Sequence, residues 1–102
     1  MPATSETVLQ YWIREALMME GGGAKRETVL GWIERHHGHD LTSEDLESVP
    51  STGEPTWRNR ASWARQHAVD SGFLCQNSPH GIWELTEAGK EAMRPLSLEE
   101  LL

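Results

Sequence analysis

The sequence predicts an α+β fold, mainly helical with a C-terminal β-hairpin, and three observations carry that prediction. A helical pattern runs from Trp57 to about Ser71 and stops at Gly72, a residue suited to the left-handed position after a helix. Two short apolar runs follow, Phe73-Leu74-Cys75 and Ile82-Trp83-Glu84-Leu85, and the turn formers Gln76-Asn77-Ser78-Pro79-His80-Gly81 separate them, which predicts a hairpin. Thr86 then caps one more short helix. Helix, hairpin, helix is the core of a winged helix-turn-helix, in which the helix before the hairpin enters the DNA major groove.

The totals bound the rest. A chain of 102 residues suits one small domain with a modest core. We expect that domain over residues 1–94, with 95–102 the start of a linker or tail helix. Hydrophobic residues make up 37%, enough for a globular fold when five of them are tryptophan. No apolar run approaches the ~20 residues of a membrane span. The opening Met-Pro-Ala-Thr-Ser-Glu has neither the basic start nor the apolar middle of a signal peptide. The single cysteine, Cys75, excludes an internal disulfide and fits a reducing cytosol, so a cytoplasmic location is expected.

The charge is unevenly spread. Pro55 to Trp83 holds Arg58, Arg60 and Arg65 against Asp70 alone, whereas Met1 to Glu54 holds ten acids against four basic residues. The net charge of −7 opposes nonspecific DNA binding, which depends on neutralising phosphates. Either the protein binds no nucleic acid, or acid covers the faces turned away from it, as in proteins of salt-accumulating cells. Two lysines against seven arginines favour the second. Phosphate attraction is screened in high salt, and specificity then rests on base contacts.

Upstream of the central stretch, Val8, Leu9, Trp12, Ile13, Ala16 and Leu17 recur at helical spacing and predict a helix from Ser5 to Glu20. Gly21-Gly22-Gly23 ends it and reads as a flexible connection. No strand precedes the triplet and no Gly-Lys-Ser/Thr follows, which removes a phosphate loop. A second helix covers about Lys25 to His37, with Val29, Leu30, Trp32 and Ile33 inward and Gly38 closing it. Thr42-Ser43-Glu44-Asp45 is a capping-box pattern, with Leu41 and Leu46 placed to close a hydrophobic staple, and predicts a short surface helix ending near Val49-Pro50. Ser51 to Pro55 reads as a solvated connection. Near the C-terminus, Pro95 breaks the chain and Ser97-Leu98-Glu99-Glu100 is a second capping-box pattern, followed only by Leu101-Leu102; a chain cut from something longer and a natural short tail explain it equally well.

Asn59-Arg60, Trp63-Ala64-Arg65, Gly72-Phe73-Leu74, Gly81-Ile82-Trp83, Leu85-Thr86 and the following Gly89 resemble the N-terminal domain of Mrr-type restriction proteins, over roughly Glu27 to Met93. The resemblance implies a winged-helix DNA-binding domain fused to a nuclease domain that cuts modified foreign DNA. Similar winged helices on other endonuclease types are implicated in reading N6-methyladenine. The sequence departs from the commoner pattern at Ala61 and Ala68, where larger aliphatic residues are typical. The central helix should therefore pack closer to its neighbours or lean on nearby tryptophans.

At about 100° per residue, Ala61, Ala64 and Ala68 share one side of the central helix and should pack inward. Asn59, Ser62, Gln66 and, less squarely, Trp63 lie opposite; Asn and Gln suit the N6/N7 edge of adenine. Thr56, Trp57 and Arg58 occupy the helix N-terminus, the end of a recognition helix that reaches toward the bases. An indole of Trp57 or Trp63 against an N6-methyl group would gain on the order of 1 kcal/mol from buried area, although Trp57 also falls near the alanine stripe, as a core residue would. Arg58 and Arg60 are phosphate or guanine candidates, Arg65 a weaker one. The resemblance also leaves Arg60 a buttressing role. Asn77, Ser78 and His80 in the wing are placed to reach phosphate or the minor groove, although short polar residues are also what any tight turn uses.

Other chemistries fit less well. His36-His37-Gly38-His39-Asp40 crowds one helix terminus, where cations suit the macrodipole better than zinc does. Cys75 lies in an apolar strand pattern, the usual setting of an inert thiol. No clustered carboxylates with a lysine stand ready for metal-assisted phosphodiester cleavage, and Glu44, Asp45 and Glu47 belong to the expected surface helix. The expectation is a non-catalytic, cofactor-free reader of double-stranded, sequence- or modification-specific DNA, with its nuclease in a fused domain. A winged-helix transcriptional regulator and a protein-interaction winged helix are the alternatives.

Overall fold

The computed structural model describes residues 2–93. The elements run α1 (Glu6–Met19), β1 (Gly23–Lys25), α2 (Arg26–His37), a 3₁₀ turn (Gly38–Asp40), α3 (Thr56–Asp70), β2 (Ile82–Glu84) and α4 (Glu87–Ala92). This is an α+β winged helix. The expected boundaries of α1, α2 and α3 hold to within a residue. Ser5 caps α1 by accepting from the Val8 amide, and Thr86 caps α4 by accepting from the Gly89 amide. Gly72 takes the left-handed conformation after α3, with φ +84°.

The core joins Leu9, Trp12, Ile13, Ala16 and Leu17 of α1 to Val29, Leu30, Trp32 and Ile33 of α2. Trp57, Ala61, Ala64 and Ala68 of α3 complete it, with Leu74, Trp83 and Leu85 from the hairpin. The alanine stripe is fully inward, and α1 with α3 forms the most extensive helix pair. Small side chains let the two backbones approach, and Trp57 supplies bulk at one end of the stripe. No described helix is long and apolar enough to cross a membrane.

Two expectations need correction. The glycine triplet is not a flexible connection. Gly22 donates to Leu17 O (2.7 Å) and Gly21 to Met18 O (3.3 Å), the paired bonds of a Schellman cap, with Gly21 and Gly22 at positive φ. Gly23 then opens β1, which pairs antiparallel with β2: Gly23 opposite Glu84, Ala24 opposite Trp83, Lys25 opposite Ile82. On the other side of β2 the hairpin closes through one bridge, Leu74 to Leu85. Cys75 N–H to Glu84 O (2.8 Å) and Thr86 N–H to Phe73 O (3.1 Å) flank it. β2 is therefore the middle of the wing, held by a segment sixty residues earlier as well as by its own hairpin.

The second correction is the surface helix expected from Thr42 to Val49. The capping box does form, with Asp45 N–H donating to Thr42 Oγ1 (3.2 Å) and Thr42 N–H to Asp45 Oδ2 (2.9 Å). Only one turn follows, and Leu46 is exposed, so the staple stays open. Val49 turns its amide to Glu54 O (2.7 Å), and Ser48 pairs with Pro55, which folds residues 48–55 back on themselves. Amides spent in that small loop are lost to a helix. The tail pattern around Ser97 to Leu102 lies outside the described residues.

Candidate nucleic-acid interface

Four of the five tryptophans are buried in the core; Trp63 is 60% exposed. It stands on the outer face of α3, with Asn59 one turn before it and Gln66 one turn after, both exposed. Gln66 also donates to Asp70 Oδ1 at 3.3 Å. Ser62 flanks this row, half-buried: its hydroxyl accepts from Arg26 Nε at 3.1 Å and leans toward Arg58 O at 3.4 Å. The row presents an amide, an indole and a second amide along one helix edge.

Trp57 does not belong to it. At 1% exposure it is a core residue, in line with Ala61, Ala64 and Ala68 at helical spacing, and no base can reach it without unpacking the domain. Thr56 serves as an anchor, its amide and hydroxyl both donating to Glu47 O (2.7 Å each). With Trp57 N–H on Asp45 O (3.0 Å) and Arg58 N–H on Pro55 O (3.1 Å), the first three amides of α3 are satisfied by chain just upstream. The helix end is plugged rather than open to phosphate.

The arginines divide sharply. Arg58 faces three glutamates: Glu27 Oε2 at 2.5 Å, Glu54 Oε2 at 3.5 Å and Glu34 Oε2 at 3.9 Å. Its guanidinium also lies over the Trp57 ring, 5.7 Å from the centroid. Arg60 donates to Thr4 O and sits 3.9 Å from buried Asp45, so it ties α3 to the segment before α1. Neither is a free cation. Arg65 has no ion pair among the described residues and stacks over Trp83 of the wing at 5.9 Å. Exposed Lys25, at the end of β1, has none there either.

In the wing, Asn77 and His80 are exposed at the turn, while Ser78 is half-buried and its Oγ has no hydrogen-bond partner. The wing tip is joined to α3 through one residue. Arg26 donates its backbone amide to Gly81 O (3.3 Å) and its Nε–H to Ser62, and its Nη2 reaches Glu54 Oε2 at 3.1 Å. The turn and the outer row of α3 are thereby held on one side of the molecule.

Sequence reading missed Arg26, because nothing local distinguishes it from a solvated helix-start cation. It also misplaced Asp45, which is fully buried. Its carboxylate accepts from Thr4 N–H (2.9 Å), Thr4 Oγ1 (2.6 Å) and Thr42 N–H (2.9 Å). Burial opposes its ionisation, but the bonds from Thr4 and Thr42 together prevail and hold the carboxyl below its usual range. The two histidines that end α2 have partners as well: His37 stacks on Trp12 and meets Glu15 Oε1 at 2.7 Å, and the exposed His36 stacks on Trp32. No three described His, Cys, Asp or Glu side chains gather to hold a metal ion.

Comparison with known proteins adds one finding. No curated protein and no solved structure matches the chain significantly. The family model of the Mrr N-terminal domain matches residues 10–95, which takes in α1 from Gln10 onward, α2, α3, α4 and both strands of the wing. The chain therefore belongs to the Mrr N-terminal domain family.

Proposed function

We propose that this domain reads double-stranded DNA for an Mrr-type restriction protein, with α3 in the major groove and the wing beside it, and that a fused nuclease domain carries the chemistry. The observation that supports it best is Trp63, an indole left in water between two amide side chains while the other four tryptophans are buried. Tryptophan is enriched at interfaces, where a partner covers its amphipathic ring. Asn59 and Gln66 have the donor and acceptor pair that matches the N6/N7 edge of adenine. An N6-methyl group adds an apolar patch at that edge and removes one donor. Trp63 would cover the methyl while an amide oxygen takes the remaining N6 proton, which makes N6-methyladenine the preferred modification.

The wing residues Asn77, Ser78 and His80 would lie along the neighbouring backbone, with Arg65 and Lys25 beside them to meet phosphate. Trp57 has no part in this reading, and Thr56 and Arg60 position α3. The test is binding to one duplex in four states at graded KCl: unmodified, N6-methyladenine on one strand, on both, and 5-methylcytosine. Tighter binding of the N6-methyl duplexes is expected; equal affinity in all four states removes the modification preference. A protein-interaction role is the second reading, favoured by the saturation of Arg58 with glutamates, and it requires that no duplex binds at any salt.

A further inference from the structure

We propose that Glu27 and Glu54 are specificity-determining residues that keep Arg26 and Arg58 from binding phosphate indiscriminately. The inference rests on the DNA-reading proposal and concerns the flank of the same surface. Arg58 and Ser62 are one turn apart on α3, next to the Asn59–Trp63–Gln66 row and on the side facing α2. On that flank the two guanidiniums meet carboxylates on three sides. Glu27 takes one bond from each arginine, Arg26 Nη1 at 2.8 Å and Arg58 Nη2 at 2.5 Å. Glu54 accepts from Arg26 Nη2 at 3.1 Å and lies 3.5 Å from Arg58 Nε, an ion pair without a hydrogen bond. Glu34 stands 3.9 Å from Arg58 Nη1.

The sum decides what this flank does. Two positive and three negative side chains leave it net negative, at the place where the first helix of a helix-turn-helix crosses the DNA backbone. A carboxylate bridging two guanidiniums uses the same fork of donors that a phosphate oxygen pair would use. Phosphate must therefore displace Glu27 or Glu54 before either arginine can engage it, and Glu34 repels it throughout. The glutamates remove the sequence-independent part of binding, and base-edge contacts along Asn59, Trp63 and Gln66 must supply what remains. Free arginines here would hold any duplex.

A purely structural reading of the same ion pairs predicts the opposite sign. If Glu27 and Glu54 only fix α3 against α2, neutralising them loosens the surface and weakens binding. The experiment measures affinity of the full chain, wild type and Glu27→Gln/Glu54→Gln, for an arbitrary unmodified 25-bp duplex across a KCl series. Thermal melting is recorded alongside. Our proposal expects affinity to rise roughly tenfold at low salt, and the slope of log K against log[KCl] to steepen by about one to two, one increment per arginine freed. Adding Arg58→Ala to the double variant should reverse part of that gain.

Glu27→Gln alone covers the case in which the double variant melts early, because Glu27 is 70% exposed and its loss leaves the core untouched. It should raise affinity in the same direction by a smaller factor. Unchanged or lower affinity in a folded variant overturns the screening role. Failure of the DNA-reading proposal looks different: the wild type then binds none of the four duplex states. If the glutamine variants nevertheless gain duplex binding in that case, the screening stands by itself. If they do not, both ideas are wrong.

Discussion

Arg26 donates its Nε–H to the Ser62 hydroxyl at 3.1 Å, while its backbone amide holds the Gly81 carbonyl at the wing tip. One residue at the start of α2 thus touches both the wing tip and α3, beside the core packing of Leu74, Trp83 and Leu85 on the α3 alanines. The Arg26→Ala variant keeps the amide bond but loses the side-chain bonds to Ser62, Glu27 and Glu54. Because the side chain is half-buried and the ion pairs are partly screened, the expected loss is about 1 kcal/mol. That corresponds to a fall in melting temperature of about 4–8 °C. Ser62→Ala should cost less, since the guanidinium keeps its glutamates, and paired thermal melts check the order.

Trp57 and Trp63 should separate stability from binding. Trp57→Ala opens a large cavity beneath α3 and is expected to cost about 3–5 kcal/mol. Trp63→Ala should change stability by no more than about 0.5 kcal/mol. If α3 is the reading helix, Trp63→Ala should weaken binding to the methylated duplex and narrow its advantage over the unmodified one. A denaturant melt and a titration of each variant give both numbers.

Asn59→Ala should cost about 1–3 kcal/mol of affinity at one base position and nothing measurable elsewhere in the site. Binding to a panel of single-base substitutions distinguishes this from a phosphate contact, which would weaken every sequence alike.

Asp45 makes stability depend on acid pH. Its folded pKa lies below the unfolded value of about 3.9. Its contribution is therefore complete above that unfolded value and disappears as pH falls through the folded one. Denaturant melts from about pH 6 downward should show wild type losing stability on acidification more steeply than Asp45→Asn. At neutral pH the same variant should be less stable by about 2–3 kcal/mol, the worth of hydrogen bonds to a buried charge.

Gly89 should tolerate no side chain. A Cβ there would run into the Phe73 carbonyl and meet Leu85 Cδ2 at 3.0 Å, and a backbone carbonyl in the hairpin cannot swing aside as a side chain would. Gly89→Ala is expected to cost about 3 kcal/mol or more, seen as early melting.

The alternation of apolar residues along the chain determined α1, α2 and α3, because burying a stripe at helical spacing is a local instruction that neighbouring residues repeat. The turn residues from Gln76 to Gly81 and the caps at Ser5 and Thr86 set where elements start and stop, for the same reason. The inward alanines and the outward Asn59 and Gln66 also followed from spacing alone. Trp57 was ambiguous by angle, and the depth of the core decided for burial. Only the folded chain brings Gly23 to Glu84, Thr4 to Asp45, and Glu27 to Arg58. Those pairs join residues dozens of positions apart, and their energy exists only once the backbone has brought them together. Formal charge along the sequence placed positive residues on α3, but tertiary contact determined which remain free. A guanidinium beside three carboxylates is a different surface from the same guanidinium in water.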